Sequence, residues 1–179
     1  VISLSANKPA NSETVTSTGD GSNVTVSGKI TINGLGAYAD GAASKITISG
    51  AGSLITSSPD GALVAKNGGK ISFAGGIINH NHDDSLAFFA GEIGTNPTLS
   101  PLSNINFTGT TTINYSKGVV FYGKPSDYSS GVSTTARYGG MSNVKINITG
   151  HGVNLGVFEF TPAETITTWN GDNTSLMAS

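Results

Sequence analysis

The chain contains no cysteine. That excludes disulfides, thiolate metal sites and a cysteine nucleophile, so the fold has to hold together without covalent staples. Charge is also scarce. Charged residues are 11% of the 179 and the formal net charge is −2, whereas an average globular domain is roughly a quarter charged. Such a balance carries no electrostatic footprint for nucleic acid and none for an anionic membrane surface. No apolar run approaches the roughly 20 residues of a membrane-spanning helix, so no direct membrane insertion is expected of this segment. No stretch reads as a signal peptide. The chain opens on Val1, which predicts a mature or excised piece whose targeting or anchoring segments lie outside it. Helical periodicity of useful length is missing from the interior as well.

What is present is a repeat. Residues 44–68 (SKITISGAGSLITSSPDGALVAKNG) and 69–93 (GKISFAGGIINHNHDDSLAFFAGEI) align end to end without a gap. Ile46 falls on Ile71, Ile48 on Phe73, Gly50 on Gly75, and Leu63 on Phe88. A fixed period in the range of about 20–50 residues signals a stacked, quasi-one-dimensional fold. Three kinds of apolar run recur in order. The first is Val24–Val26, Ile46–Ile48, Ile71–Phe73, Ile105–Phe107 and Val144–Ile148. The second is Ile30–Ile32, Leu54–Thr56, Ile77–Ile78, Ile113–Tyr115 and Val153–Leu155. The third is Ala37–Ala39, Ala62–Val64, Ala87–Phe89, Val119–Tyr122 and Val157–Phe160. Alternation with β-branched enrichment marks strands with one buried face. Asn-Gly, Asp-Gly and Gly-Gly pairs between them supply turns. The pattern predicts an all-β parallel β-helix of three strands per turn and five to six turns. Its inward ladders are expected to include Ile46–Ile71–Ile105 and Leu63–Phe88–Val120. An antiparallel β-sandwich also accommodates short strands but does not require residue-matched copies at a fixed period. The strict hexapeptide spacing of a left-handed helix is not found.

The period breaks twice. The step from Ile71 to Ile105 is longer than the step from Ile46 to Ile71, and the step from Ile105 to Ile146 is longer still. The excess falls in 91–103 and 123–142, rich in Pro, Gly and Ser, both expected to leave the helix at one corner after the third strand. Insertions at one corner of a solenoid cluster on one face. Residues 1–23 are expected to form an irregular first turn or cap. The β-helix then runs over 24–160, and 161–179, with Trp169, begins a further turn or forms a tail.

Chemistry is harder to find. His80-Asn81-His82-Asp83-Asp84 brings metal-ligating types together, yet ligands from one short consecutive run rarely close around one ion, and the cluster reads as a solvated corner. Carbohydrate-cleaving sites need paired carboxylates or calcium carboxylates with a base. Asp83-Asp84 is the sole adjacent acidic pair, and no motif places Lys66, Lys70 or Arg137 beside it. Gly34-Leu35-Gly36 lacks the Lys of a phosphate loop. No catalytic, cofactor or metal residue is assigned, and no cofactor is expected. Tyr122, Tyr128, Arg137 and Tyr138 lie in or beside the longer insertion, and Tyr and Arg favour recognition surfaces. They are the candidate partner contacts.

The strings KITINGLGAYADGA, KITISGAGSLITSSPDGALVAKNGGKISFAGG and INYSKGVVFYG resemble passenger segments of type V autotransporter adhesins over about residues 24–160. The likeness is one of repeat style. It implies a right-handed β-helix, export through the outer membrane to the bacterial surface or medium, and attachment to a protein or glycan of host or neighbouring cells. It implies continuity with further turns in a longer parent chain, and it transfers no functional residue. The expected function is thus a non-enzymatic adhesin fragment. The alternatives are a polysaccharide lyase or tailspike-type hydrolase and a purely structural stalk. An ice-binding helix would need a regular Thr-x-Thr ladder, which does not recur.

Overall fold

Alternating Ile, Val and Phe can all face one interior only if each run lies on its own repeat, and parallel pairing achieves this. The computed structural model describes residues 2–5, 15–34, 36–57, 61–80, 86–91, 102–115, 118–122, 134–148, 153–154 and 169–170. Its strands form three parallel sheets, visited in the order A, B, C on each turn. Sheet A holds β1 (Ile2–Ser5), β4 (Ile30–Gly34), β7 (Ser53–Ser57), β10 (Gly76–His80), β13 (Thr111–Tyr115), β16 (Val144–Ile148) and β18 (Trp169–Asn170). Sheet B holds β2 (Val15–Thr18), β5 (Ala37–Asp40), β8 (Leu63–Lys66), β11 (Leu86–Gly91), β14 (Gly118–Tyr122) and β17 (Val153–Asn154). Sheet C holds β3 (Asn23–Val26), β6 (Lys45–Ile48), β9 (Lys70–Phe73), β12 (Asn104–Phe107) and β15 (Tyr138–Gly139). This is a parallel β-helix of three strands per turn.

The interior is a set of in-register ladders. Val24, Ile46, Ile71 and Ile105 stack on successive sheet C strands and Tyr138 continues the column. In sheet A, Ile32, Ile55, Ile78, Ile113 and Ile146 do the same. All of these but Val24 are buried. Each large side chain removed from water contributes about 1.5–3 kcal/mol, so the ladders are the fold's main support. The expected column Leu63–Phe88–Val120 is off by one place. Phe121 stands opposite Phe88, and Val120, also buried, precedes it. An unbroken Val-Val-Phe-Tyr run gives no alternation by which to tell which residue faces in.

The register differs from the expectation in the fifth turn. Val144–Ile148 pairs with β13 in sheet A, Ile113 against Ile146, and is not the sheet C strand of that turn. Tyr138–Gly139 is. Likewise Val153–Asn154 pairs with β14 in sheet B. The reason is that strands of both sheets alternate in the same way, while the very short β15 shows no alternation. The corrected column in sheet C steps from Val24 to Ile46, Ile71, Ile105 and Tyr138. Its last two steps are nearly equal and both exceed the first two, so the second excess matches the first in length. The segment 1–23 supplies two regular strands, β1 on β4 and β2 on β5, and β18 extends sheet A beyond β16.

Glycine is obligatory where turns touch. At the corner from C to A, a Cβ on Gly50 would run into the backbone of Gly28 one turn earlier. No helix of the described residues is long and apolar enough to cross a membrane.

Candidate functional site

The corner from sheet B to sheet C is where both long connections leave. In the early turns it is closed tightly by residues in the left-handed region: Gly41 (φ 120°) and Ala43 (59°), then Asn67 (52°) and Gly68 (90°). Backbone groups satisfy one another across turns there. Gly19 N–H donates to Asp40 O at 3.0 Å, Gly41 N–H to Lys66 O at 3.2 Å, and Asn67 N–H to Gly91 O at 3.2 Å. Buried Ser44 adds a 2.6 Å bond from its Oγ to Ser17 O.

On the next two turns the chain departs after Gly91 and after Tyr122, and a side-chain hydroxyl closes each stem. Ser103, just before β12, donates from Oγ to Gly91 O at 3.2 Å and accepts from Gly68 N–H at 2.9 Å. Tyr138 accepts from Ala90 N–H at 2.9 Å, and its Oη lies 2.8 Å from Tyr122 O and 3.1 Å from Phe88 O. In both cases the residue at which the chain re-enters the wall grips the residue from which it left. The stems are also tied together. A short helical turn, α1 (Thr134–Arg137), precedes β15. Arg137 Nη1 donates to Ser103 O at 3.4 Å, and Asn104 Nδ2 to Ala136 O at 2.9 Å. A 3-10 turn, Met141–Asn143, follows, with Asn143 Nδ2 donating to Phe107 O at 2.7 Å.

These bonds revise the candidate contacts. Arg137 and Tyr138 are 3% and 1% exposed, so they belong to the wall and present nothing to a partner. The reason lies in the shifted register: Tyr138 takes the inward column of Ile105, and Arg137, one residue earlier, lies buried at the corner against Ser103 O. The sheet C strand of that turn is Tyr138–Gly139, so the second connection ends before Tyr138 and not at 142. Tyr128 lies outside the described residues. Tyr122 is half-buried on the outer face of sheet B, its ring stacked on Phe89 at 4.9 Å and 21°.

That outer face is a feature the strand pattern does not single out. Tyr38, Val64, Phe89 and Tyr122 are in register on β5, β8, β11 and β14. Tyr38 and Val64 form a second apolar cluster with Phe89 packed against it, and Lys66 Nζ sits 5.5 Å above the Tyr38 ring. The sequence carries no signal for it, since Tyr38 is the second residue of its run and Tyr122 the fourth, and only the register aligns them. The outer face of sheet A differs again. Leu54 and Ile77 are exposed side by side. Asn147 donates to Asn114 at 2.9 Å and Asn114 to Asn79 at 2.7 Å.

His80 is also corrected. It is fully buried at the end of β10, stacked on Tyr115 at 5.1 Å and 5°, and so is no part of a solvated corner. Its sequence neighbours Asn81, His82, Asp83 and Asp84 lie outside the described residues. No protein-family model, curated protein or solved structure matches the chain.

Proposed function

We propose that this chain is a non-enzymatic segment of a bacterial surface adhesin, exported through the outer membrane and attaching to host or neighbouring cells through the connections at its B–C corner. The observation that carries this reading is the pair of long connections leaving one corner on consecutive turns. Loops held on a rigid scaffold are where recognition concentrates, and long connections are uncommon without a purpose. The buried hydroxyl and guanidinium bonds at the two stems support it further, because they fix the take-off points against each other and reduce the ordering cost of binding. The resemblance of the repeat to autotransporter passengers supplies the setting, a rod that carries such loops away from the cell.

The test is to replace residues 124–133 with a short Gly/Ser link, which spares Arg137 and Tyr138, and to measure attachment of the protein to cells and glycan arrays. The expected result is an unchanged far-UV circular dichroism spectrum with attachment lost. Attachment equal to that of the intact chain removes the corner from consideration.

A further inference from the structure

The three outer faces of the rod are chemically distinct, and the face of sheet C is the uniformly polar one. Sheet B buries Tyr38 and Val64 in its outward row, and sheet A exposes Leu54 and Ile77. On sheet C every outward side chain is polar, and no Asp or Glu occurs anywhere on β3, β6, β9 or β12. One outward column runs Thr25, Thr47, Ser72, Asn106 in register. Beside it Lys45 and Lys70 stand on adjacent strands, directly in register and both exposed. Adjacent strands lie about 4.8 Å apart. Two lysines rooted on neighbouring strands repel each other through their ammonium groups, and among the described residues no carboxylate pairs with either. In a chain of net charge −2, this face carries only positive charge.

We infer that the outer face of sheet C is a docking surface for a linear acidic polysaccharide, a polyuronate-type chain bearing one carboxylate per sugar. Three observations converge on that occupant. The lysine pair complements a polymer whose anions recur along its length. The hydroxyl and amide column next to it offers donors and acceptors to sugar hydroxyls. The side chains of that column are short, so the face is flat and admits an extended chain. The same observations disfavour other anionic partners. Single-stranded nucleic acid is held by aromatic stacking as well as charge, and the outward positions of this face hold no aromatic residue; duplex DNA is held by many phosphate contacts, for which two lysines are few. A lysine near an anionic bilayer contributes about 1 kcal/mol, and two are too few for stable adsorption. Lys70 pairs with Asn104 at the edge of the B–C corner, but the inference does not depend on the role of the connections.

Affinity electrophoresis of the whole chain through gels containing polygalacturonate, dextran or duplex DNA tests the inference. Polygalacturonate is expected to retard the protein, dextran is not, and retardation should fall as salt rises. The double variant K45Q/K70Q should bind polygalacturonate about tenfold more weakly, from the loss of two exposed charge contacts repeated along a polymer. K145Q, on the outer face of sheet A, should bind as the unaltered chain does, and circular dichroism checks that each variant is folded. The chain lacking 124–133 should also bind polygalacturonate normally, which separates this surface from the corner. Equal retardation by dextran, DNA binding as strong as polygalacturonate binding, or undiminished binding by K45Q/K70Q overturns it.

Discussion

The tight turns through β9 and the two turns that follow solve the same problem with different materials. Up to Ile71 the sheet C column advances in short steps, the corner closes on itself, and the interior is dominated by Ile, Val, Leu and Ala. Beyond it the steps to Ile105 and Tyr138 lengthen, and the interior fills with rings. Phe88 lies 5.0 Å from Phe107 edge-on and 5.2 Å from Phe121, and Phe121 lies 5.2 Å from Tyr138. The difference shows what a departing chain costs. Where the corner is tight, backbone N–H and C=O groups of neighbouring turns pair across it. Where the chain leaves, buried polar groups must still be satisfied, and side-chain hydroxyls join the backbone pairs: Gly91 O accepts from Ser103 Oγ as well as from Asn67 N–H, and Ala90 N–H donates to Tyr138 Oη. A tyrosine suits the wider turn because its ring packs with the phenylalanines while its tip reaches the backbone.

The largest effect is expected at the seam between the two regions. Ile71 is 1% exposed and pairs backwards with Ile46 and forwards with Ile105. Placing Asp there buries a charge with no partner in an apolar ladder, which costs about 4 kcal/mol or more. Chemical denaturation should show the loss. Because stability in stacked repeats is a sum of nearest-neighbour terms, hydrogen exchange should show protection falling first on β6, β9 and β12. Uniform loss of protection over all turns would mean that the two regions form one cooperative unit.

A smaller effect is expected from removing one oxygen. Tyr138→Phe keeps the ring against Phe121 but leaves Ala90 N–H without its acceptor, at a cost of about 1–3 kcal/mol. The equivalent loss in the tight region, Ser44→Ala, removes a hydroxyl from a corner whose backbone pairs remain and should cost about 1 kcal/mol. Denaturation midpoints of the two variants compare them directly. If Ser44→Ala proves the more damaging, the hydroxyls at the departures support the wall no more than those at the tight corners do.

Legibility in the sequence follows the same divide. The ladder Ile46–Ile71–Ile105 can be read from residues alone, because alternation and a fixed period coincide there. The fifth turn cannot. Tyr138–Gly139 is too short to alternate, and Val144–Ile148 alternates just as a sheet C strand would. Pattern alone therefore assigns that run to the wrong sheet and draws the second insertion too long. The candidate contacts suffer from this shift. Tyr138 and Arg137 have the composition of a binding surface, and only the register shows that they fill an inward column and a corner. The lysine pair on sheet C stands at equivalent positions of the repeat, before Ile46 and before Ile71, yet single-residue motifs do not reveal which outward positions are neighbours.

The smallest effect concerns the connections themselves. Both stems are closed by bonds from Ser103 and Tyr138 that lie within the wall, so the chain beyond Tyr122 should be thermodynamically cheap to change. Loop-closure entropy varies slowly with length, about 0.6 kcal/mol for each doubling. Replacing 124–133 with a short Gly/Ser link should therefore shift stability by roughly 1 kcal/mol or less, with the denaturant slope unchanged because little surface buried in the wall is altered. A loss comparable to that of Ile71→Asp would show that the connection packs as part of the core. The contrast between a regular rod and its departures would then fail, since the segment proposed for recognition would be holding the fold.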